Sequence, residues 1–574
     1  MKRTLWITLA ALLAGAAAAS AQTSYNRDMG GMLIDRDIMT PADLIGLSQT
    51  QFNFGTARAM AMAGAFTSLG ADVSSMAINP AGLGMYRKSE VTLTPMMTFS
   101  RSSTPDAGAY GKNGTNRFSV SNFGVVINAV NRTHGLIGLS FGFGYNRIAD
   151  FNYDYSYQRS GQAATVADLF ARQLMWDKVS KESFRDNNGL GQWNWDRIEP
   201  QHWNAALAYR AYMIDQTGDN EWAPTWIGNN ADITHYNTVK SRGSAGEYAL
   251  SVGANIENKF YIGATLGIQS IHQKLYVDYA EDYRYADPSA EHPYGTDPSL
   301  DYQLLYARLN QAMIVQGTGV NFKIGVVYRP VAGLRIGAAF HTPTYYSLDR
   351  KFQSSAASMA YANSNSDPET VHPDDKGYIP SGTADMTTPL LYDENPDGWS
   401  FSSPARLLLG ASYTFGNRAV ISVDYERDWY NGIRMKGNPI GQGLEASYRS
   451  TFRDLLQGSN IVRAGAEFKA LPGLALRAGF GYSGSMLRKG TVMAQPVVEQ
   501  TLYYGAGIGF ALSRVCTLDV AYQHMKHTTA DYYLFYVAET IDSPEGPQQM
   551  FAESSTYRTE FARHNVALTL SFRF

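Results

Sequence analysis

Hydrophobic and polar residues alternate along long stretches of the chain. In NRAVISVDYERDW, Ile421, Val423 and Tyr425 point one way and Ser422, Asp424 and Glu426 the other. In RHNVALTLSFRF, Val566, Leu568, Leu570, Phe572 and Phe574 oppose Asn565, Ala567, Thr569, Ser571 and Arg573. The same period of two sets Leu334, Ile336, Ala338 and Phe340 against Arg335, Gly337, Ala339 and His341. It also sets Val462, Ala464, Ala466 and Phe468 against Arg463, Gly465 and Glu467. Successive side chains of an extended strand face opposite ways, so each stretch reads as a strand with one apolar and one polar face.

The pattern predicts an all-β chain of about 14 strands. They fall near 91–100, 117–130, 134–151, 245–257, 260–280, 311–329, 333–350, 403–416, 419–436, 460–469, 473–484, 499–512, 515–536 and 558–574. Alternation alone fits a soluble sandwich with its apolar face inward or a membrane barrel with its apolar face outward. The connections separate the two. Short ones at VNRTH, ENKF, RPVAG, FGNR, KALPG and LSRV alternate with long ones near 101–116, 152–244, 281–310, 351–402, 437–459, 485–498 and 537–557. An even-stranded barrel with periplasmic turns and external loops has this asymmetry, and a Greek-key sandwich gives no reason for it. Closure also removes strand edges that lipid could not satisfy.

Composition points to an exported chain and by itself fits either a soluble all-β protein or an outer-membrane barrel. Charged residues make up 17% of the chain, below the roughly 25% of ordinary soluble domains. The 37 tyrosines and 26 phenylalanines suit interfacial girdles. A net charge of −3 gives no support for a nucleic-acid partner. Residues 1–21 combine Lys2 and Arg3, the apolar run LWITLAALLAGAAAA and the small-residue end Ala19-Ser20-Ala21, a secretory signal peptide. The single cysteine, Cys516, allows no intramolecular disulfide.

Residues 22–90 do not alternate. Thr40, Pro41 and Asp43 make an acidic variant of a capping box and predict a helix of about two turns. TARAMAMAGAFTSLGAD is small, apolar and in part helical, and Asn79-Pro80 sets a turn before Gly82 and Gly84. An empty barrel of this size would be an open pore, so the economical place for the segment is inside the lumen. The alternative is a periplasmic tail or cap.

These residues carry a family resemblance. NFGTARAMAMAGAFTSLGADVSSMAINPAGL, residues 53–83, resembles the N-terminal hatch of the FadL/TodX/OmpP1 family of outer-membrane transporters. GLRIGAAFHTPTYYSL at 333–348, SPARLLLGASYTFGNRAVISVDYERDWY at 403–430 and LALRAGFGYSGS at 474–485 resemble its barrel strands. The resemblance implies a signal peptide at 1–21, a plug at 22–90 and a barrel at 91–574, with long external loops at 152–244, 281–310 and 351–402. It implies hatch residues Asn53, Gly55, Gly64, Asn79, Pro80, Ala81 and Gly82. In known members a kink in the third strand opens the wall to lipid beside the hatch. Gly138, Gly142 and Gly144 are the candidates for such a bend here. The implied function is passage of hydrophobic small molecules, such as long-chain fatty acids or aromatic hydrocarbons, across the outer membrane by ligand binding and movement of the hatch or wall. The alternative is a haemin-binding or general surface receptor that uses the long loops.

No catalytic set emerges, so the chain does not read as an enzyme. GYSGS at 481–485 lacks the nucleophile-elbow spacing. His524 and His527 fall on opposite strand faces and make no metal site. No cofactor is expected. Arg335, Asp424, Glu426, Arg463, Glu467 and Arg477 lie on polar faces, where they pair with one another and with the plug, or guide a carboxylate. The expected partners are a hydrophobic small molecule, outer-membrane lipid and lipopolysaccharide. A monomer with both termini periplasmic and no energy-coupling protein completes the expectation.

Overall fold

Fourteen antiparallel strands close into one barrel in the computed structural model. They are β1 Glu90–Ser103, β2 Lys112–Asn131, β3 Leu136–Asp150, β4 Asp232–Ile256, β5 Phe260–Arg284 and β6 Tyr302–Tyr328. β7 runs through Leu334–His341 and Tyr345–Ala362, β8 through Asp397–Ser402 and Arg406–Phe415, and β9 through Ala419–Trp429 and Arg434–Gly437. β10 Gly458–Leu471, β11 Leu474–Ser483, β12 Val498–Ala511, β13 Cys516–Thr529 and β14 Glu560–Arg573 complete the wall. β14 returns to β1, with Arg573 opposite Glu90 and Glu560 opposite Ser103. The structure describes residues 28–31, 39–49, 54–107, 110–185, 193–225, 227, 231–284, 302–362, 382–387, 391–392, 397–438, 443–493, 495–543, 546–553 and 555–574. The signal segment 1–21 and Asn53 lie outside them.

The alternation works inside out relative to a soluble protein. Ile421, Val423, Val566, Leu568 and Phe572 are exposed on the outer face, while Ser422, Asp424, Glu426, Asn565 and Thr569 are buried inside. The apolar outer band meets lipid, and the polar inner wall meets other parts of the chain.

The wall extends further than alternation predicts. β4 begins at Asp232, not near 245, and pairs with β5 out to Arg284. β6 begins at Tyr302 and β7 runs to Ala362, so the connections expected at 281–310 and 351–402 are partly strand. The reason is visible in β4, whose upper inner face carries buried His235 and Asn237 beside Ile233 and Val239. Polar residues there face other protein rather than water, and the apolar–polar period disappears while the strand continues.

Among the described residues six α-helices lie off the wall: α1 Pro41–Ser48, α2 Ala57–Ala61, α3 Ser75–Ile78, α4 Val166–Trp176, α5 Trp203–Arg210 and α6 Leu444–Leu455. The 152–244 connection contains regular structure of its own. Its strand Tyr153–Gln162 pairs with β4, and α4, α5 and the hairpin Ile214–Gly218/Glu221–Pro224 follow. Asp28–Gly31 adds to the hairpin Phe535–Ser543/Gly546–Glu553 in the β13–β14 connection. At the short-turn end, Ser89 and Phe574 exchange two backbone hydrogen bonds of 3.1 and 3.0 Å, so the entry to the barrel and its last residue meet.

Candidate transport pathway

Residues 54–86 lie against the inner wall around its circumference. Thr56 caps α2 by accepting from Ala59 N. Asn79 is extended, at φ −142° and ψ 104°, and accepts from Ala81 N at 3.1 Å. Pro80 opens the 3-10 turn Pro80–Met85. The residue before a proline is pushed out of the helical region, and a short amide side chain bonds the backbone two residues on. The Asn79 Nδ2 also donates to Thr67 O at 2.6 Å and to the wall carbonyls of Val326 and Ala338 at 3.3 and 3.4 Å.

A belt of glycines receives this segment. A Cβ built on Gly124 of β2 would strike Val73. On Gly142 or Gly144 of β3 it would lie 2.7 Å from Met76. On Gly263 of β5 it would strike Pro80, on Gly325 of β6 Asn79, and on Gly337 of β7 Thr67. On Gly465 of β10 it would lie 2.7 Å from the Met62 carbonyl, and on Gly505 of β12 2.6 Å from that of Met60. Real Cβ atoms do not approach so closely, so glycine lets the segment's backbone lie against the wall at Gly263, Gly337, Gly465 and Gly505, and leaves room for the side chains of Val73, Met76 and Asn79 at Gly124, Gly142, Gly144 and Gly325. The segment supplies its own glycines too. Gly55 faces Ser74, Gly82 faces Ser75, and Gly64 turns the chain at φ +73°.

Polar bonds fix the same segment. Ala57 N donates to Thr569 at 2.7 Å, Thr67 N to Asp424 at 2.7 Å, and Tyr503 OH to Ala63 O at 3.2 Å. Arg58 reaches Glu467 at 2.8 Å, and Arg477 joins Glu467 at 2.7 Å to Asp519 at 2.6 Å. Glu426 pairs with Arg463 and with Arg406, the latter at 3.6 Å. Five of the six charged residues singled out from sequence therefore pair with one another or with residues 54–86. Arg335 is different, since its buried Nε meets no acceptor among the described residues.

The wall parts beside this segment. β2 and β3 pair from Asn131 opposite Gly138 to Asn122 opposite Asn146. The ladder runs unbroken through Gly142 and Gly144 on both sides of β3. Above Asn146, β3 pairs only with β4, with a register shift between Arg147 and Ala149. Among the described residues Lys112–Ser121 of β2 has ladder bonds only with β1, and its other edge is reached by a side-chain bond, from Asn113 Nδ2 to Ser156 of the strand Tyr153–Gln162 at 2.7 Å. At the foot of the parting, Ser121 Oγ donates to Gly55 O at 2.9 Å.

Above lies an apolar chamber, already full. α1 enters it with Met39, Leu44, Ile45 and Leu47 buried, beside Tyr155, Tyr346, Tyr430, Tyr448 and Phe452. Burying Leu44, Ile45 and Leu47 contributes about 1.5–3 kcal/mol each. Thr40 and Asp43 form the capping box that the sequence predicts. Tyr448 OH donates to Met39 O, 2.5 Å away. Burial lifts the Asp43 carboxyl above the usual carboxylate range, opposed by the charge of Arg350 and by hydrogen bonds from Thr40. A small cavity beside α1, lined by Leu47, Gln49, Ile148, Tyr346, Arg406 and Tyr430 among others, holds about 20 Å³. That is room for about one water molecule.

Residues 206–534 match the model of the family described as "Outer membrane protein transport protein (OMPP1/FadL/TodX)". The chain belongs to this family. As a member it is an outer-membrane barrel that transports hydrophobic small molecules and is not an enzyme. Its short turns and the ends of the barrel, Glu90 and Phe574, are periplasmic, and its long connections are extracellular. The chain is similar to the toluene transporter TbuX of Ralstonia pickettii, at 13% identity and TM-score 0.45, covering 90% of this chain and 98% of that one. A FadL homologue of Pseudomonas aeruginosa gives 12% identity and TM-score 0.48, covering 92% and 99%. The P. putida toluene transporter TodX gives 12% and 0.45, covering 90% and 98%. No curated protein matches the chain.

Sequence reasoning missed Met60, Met62 and Met76, which fill the glycine belt, and the site of α1. The belt left one signal: a glycine at an inward position of strand after strand, as at Gly337, Gly465 and Gly505.

Proposed function

We propose that residues 54–86 are a luminal hatch that stays seated while cargo leaves the barrel through the wall between β2 and β3. The domain division is then a signal peptide at 1–21, an N-terminal plug at 22–90 and a barrel at 91–574. The observation that carries the reading is a pairing of opposites at one level of the barrel. The hatch fits the glycine belt backbone to backbone, while the β2–β3 ladder stops at Asn122 and Asn146 directly beside Gly55. Dislodging the hatch breaks many close contacts, whereas the parting already lacks its ladder bonds.

The cargo is an apolar small molecule, an aromatic hydrocarbon or a long-chain fatty acid. Two of the similar structures are titled toluene transporters, which favours testing toluene first. Transport runs down the concentration gradient in a monomer, with no energy-coupling protein. The mobile part of the path is the wall and chamber, and the luminal charges hold the hatch rather than the cargo.

The test is uptake of radiolabelled toluene and of a labelled long-chain fatty acid by cells that express the protein and lack other routes. Ser119→Trp, at the parting, should reduce uptake without changing barrel folding. Unchanged uptake at equal surface abundance would contradict exit at this place.

A further inference from the structure

The chamber above the hatch lies where a hydrophobic cargo would wait, yet its own chain fills it. α1 is eight residues long, too short to be a stable helix by itself. It is buried on more than one face, through Ala42, Leu44, Ile45 and Leu47, so it is held by its surroundings. Those surroundings are aromatic and aliphatic side chains of the wall and long connections, among them Tyr430, Tyr448 and Phe452. Among the described residues it also has directional ties. Tyr448 bonds the Met39 carbonyl, and the Gln49 amide reaches Val498 O at 3.0 Å and Met486 Sδ at 3.6 Å.

α1 also has the chemistry of an amphiphile. It places apolar side chains in the chamber and a carboxylate, Asp43, in the field of the buried Arg350. The cavity left beside it, at about 20 Å³, is far below the roughly 300–1,000 Å³ of ligand pockets. A cargo molecule and α1 therefore exclude each other.

We infer that residues 39–49 are an internal stand-in for the ligand, which occupies the hydrophobic binding chamber and must leave before an apolar molecule can bind there. The inference rests on the transport reading above. Apolar contacts are non-directional and roughly proportional to buried area, so a hydrocarbon can replace those of α1 one for one. The apparent affinity of the ligand is then lowered by the fraction of molecules whose chamber is vacant. Mass action on α1 sets the threshold concentration at which the transporter takes up cargo.

The test locks α1 in place. Gln49→Cys with Met486→Cys ties the end of the helix to the β11–β12 connection, where the two side chains now touch, in a Cys516→Ser background that removes the one native thiol. Binding of a fluorescent long-chain fatty acid and of an uncharged naphthylamine probe is measured on the purified barrel, oxidised and then reduced. Oxidation should weaken both by at least about tenfold, and reduction should restore them. A second variant lacking residues 22–49 should bind both probes more tightly than the unaltered protein. Equal binding by oxidised and reduced forms, with the cross-link confirmed by mass, would overturn the inference while leaving the transport reading in place. Failure of every form to bind either probe would overturn the chamber as a ligand site. Toluene uptake by the unaltered protein judges the transport reading separately.

Discussion

The floor and the chamber of this barrel are both filled by the N-terminal part of the chain, but by different physics. Residues 54–86 meet the wall through backbone set against glycine, through Asn79, and through charge pairs such as Arg58–Glu467. These contacts depend on shape and direction. Residues 39–49 meet the chamber mainly through Leu44, Ile45 and Leu47 among aromatic side chains. These contacts depend on area. A ligand can reproduce the second kind and cannot reproduce the first. We propose that this stretch of chain gives a fixed floor below and an exchangeable filling above, with the β2–β3 parting where the two meet.

The largest effect should come from removing the floor. Deleting residues 22–83 should leave a barrel that inserts and conducts ions steadily, because 14 strands enclose a lumen between those of small filled barrels and porins. The unaltered protein should show no comparable current in a planar bilayer. A folded deletion protein that still blocks ions would remove the floor from the comparison.

Filling a glycine of the belt should come next. Gly325→Leu or Gly505→Leu would force a side chain into Asn79 or Met60, at a cost of about 1–3 kcal/mol in overpacking. Intermittent ion leakage should follow. Gly398→Ala is the control, because a Cβ there meets nothing within 4 Å. Equal behaviour of the three variants would deny the belt its role.

Arg58→Ala should be milder. Glu467 keeps Arg477, so the loss is the pair of hydrogen bonds from Arg58 at 2.8 and 3.4 Å and its contact over the Phe66 ring, with each charged hydrogen bond contributing about 1.5–3 kcal/mol before discounting for partial exposure. Hydrogen exchange should speed up across residues 54–63 and stay unchanged in β10. Unchanged exchange in the hatch would show that the belt alone holds it.

The smallest effect sharpens the upper half of the comparison. Gly46 lies inside α1, and a Cβ there meets nothing within 4 Å. Gly46→Ala should stabilise the helix by about 0.5–1 kcal/mol. Probe binding in the chamber should weaken by about two- to fivefold if α1 must melt out of it. Tighter binding would contradict the exchange.

The sequence showed which strands exist better than it showed what they hold. Alternation marked β9 and β14 residue by residue, because lipid demands an apolar outer face there. It failed at 232–244, where His235 and Asn237 face protein, and strand physics no longer needs a polarity contrast. The capping box at Thr40 and Asp43 was legible because it is local, whereas the place of α1 depends on chamber walls hundreds of residues away. The inward charges were legible as a group, and their pairing with Arg58 and Thr67 was not. Gly142 and Gly144 drew attention as points where β3 could bend. They lie in unbroken ladder against Met76, whereas Gly138, the third candidate, sits beside a register shift against β4 that follows Leu136, and the β2–β3 pairing ends at Asn146.

The central claim is that the hatch stays while the cargo passes, and a single cross-link tests it. A Cβ on Gly124 would lie 3.3 Å from the Cβ of Val73, close to the separation of a disulfide. Val73→Cys with Gly124→Cys, in the Cys516→Ser background, therefore fastens the hatch to β2. Uptake of labelled toluene should be the same in oxidised and reduced cells at equal surface abundance. Uptake that stops on oxidation and returns on reduction would mean that the hatch itself must move, and would contradict the account.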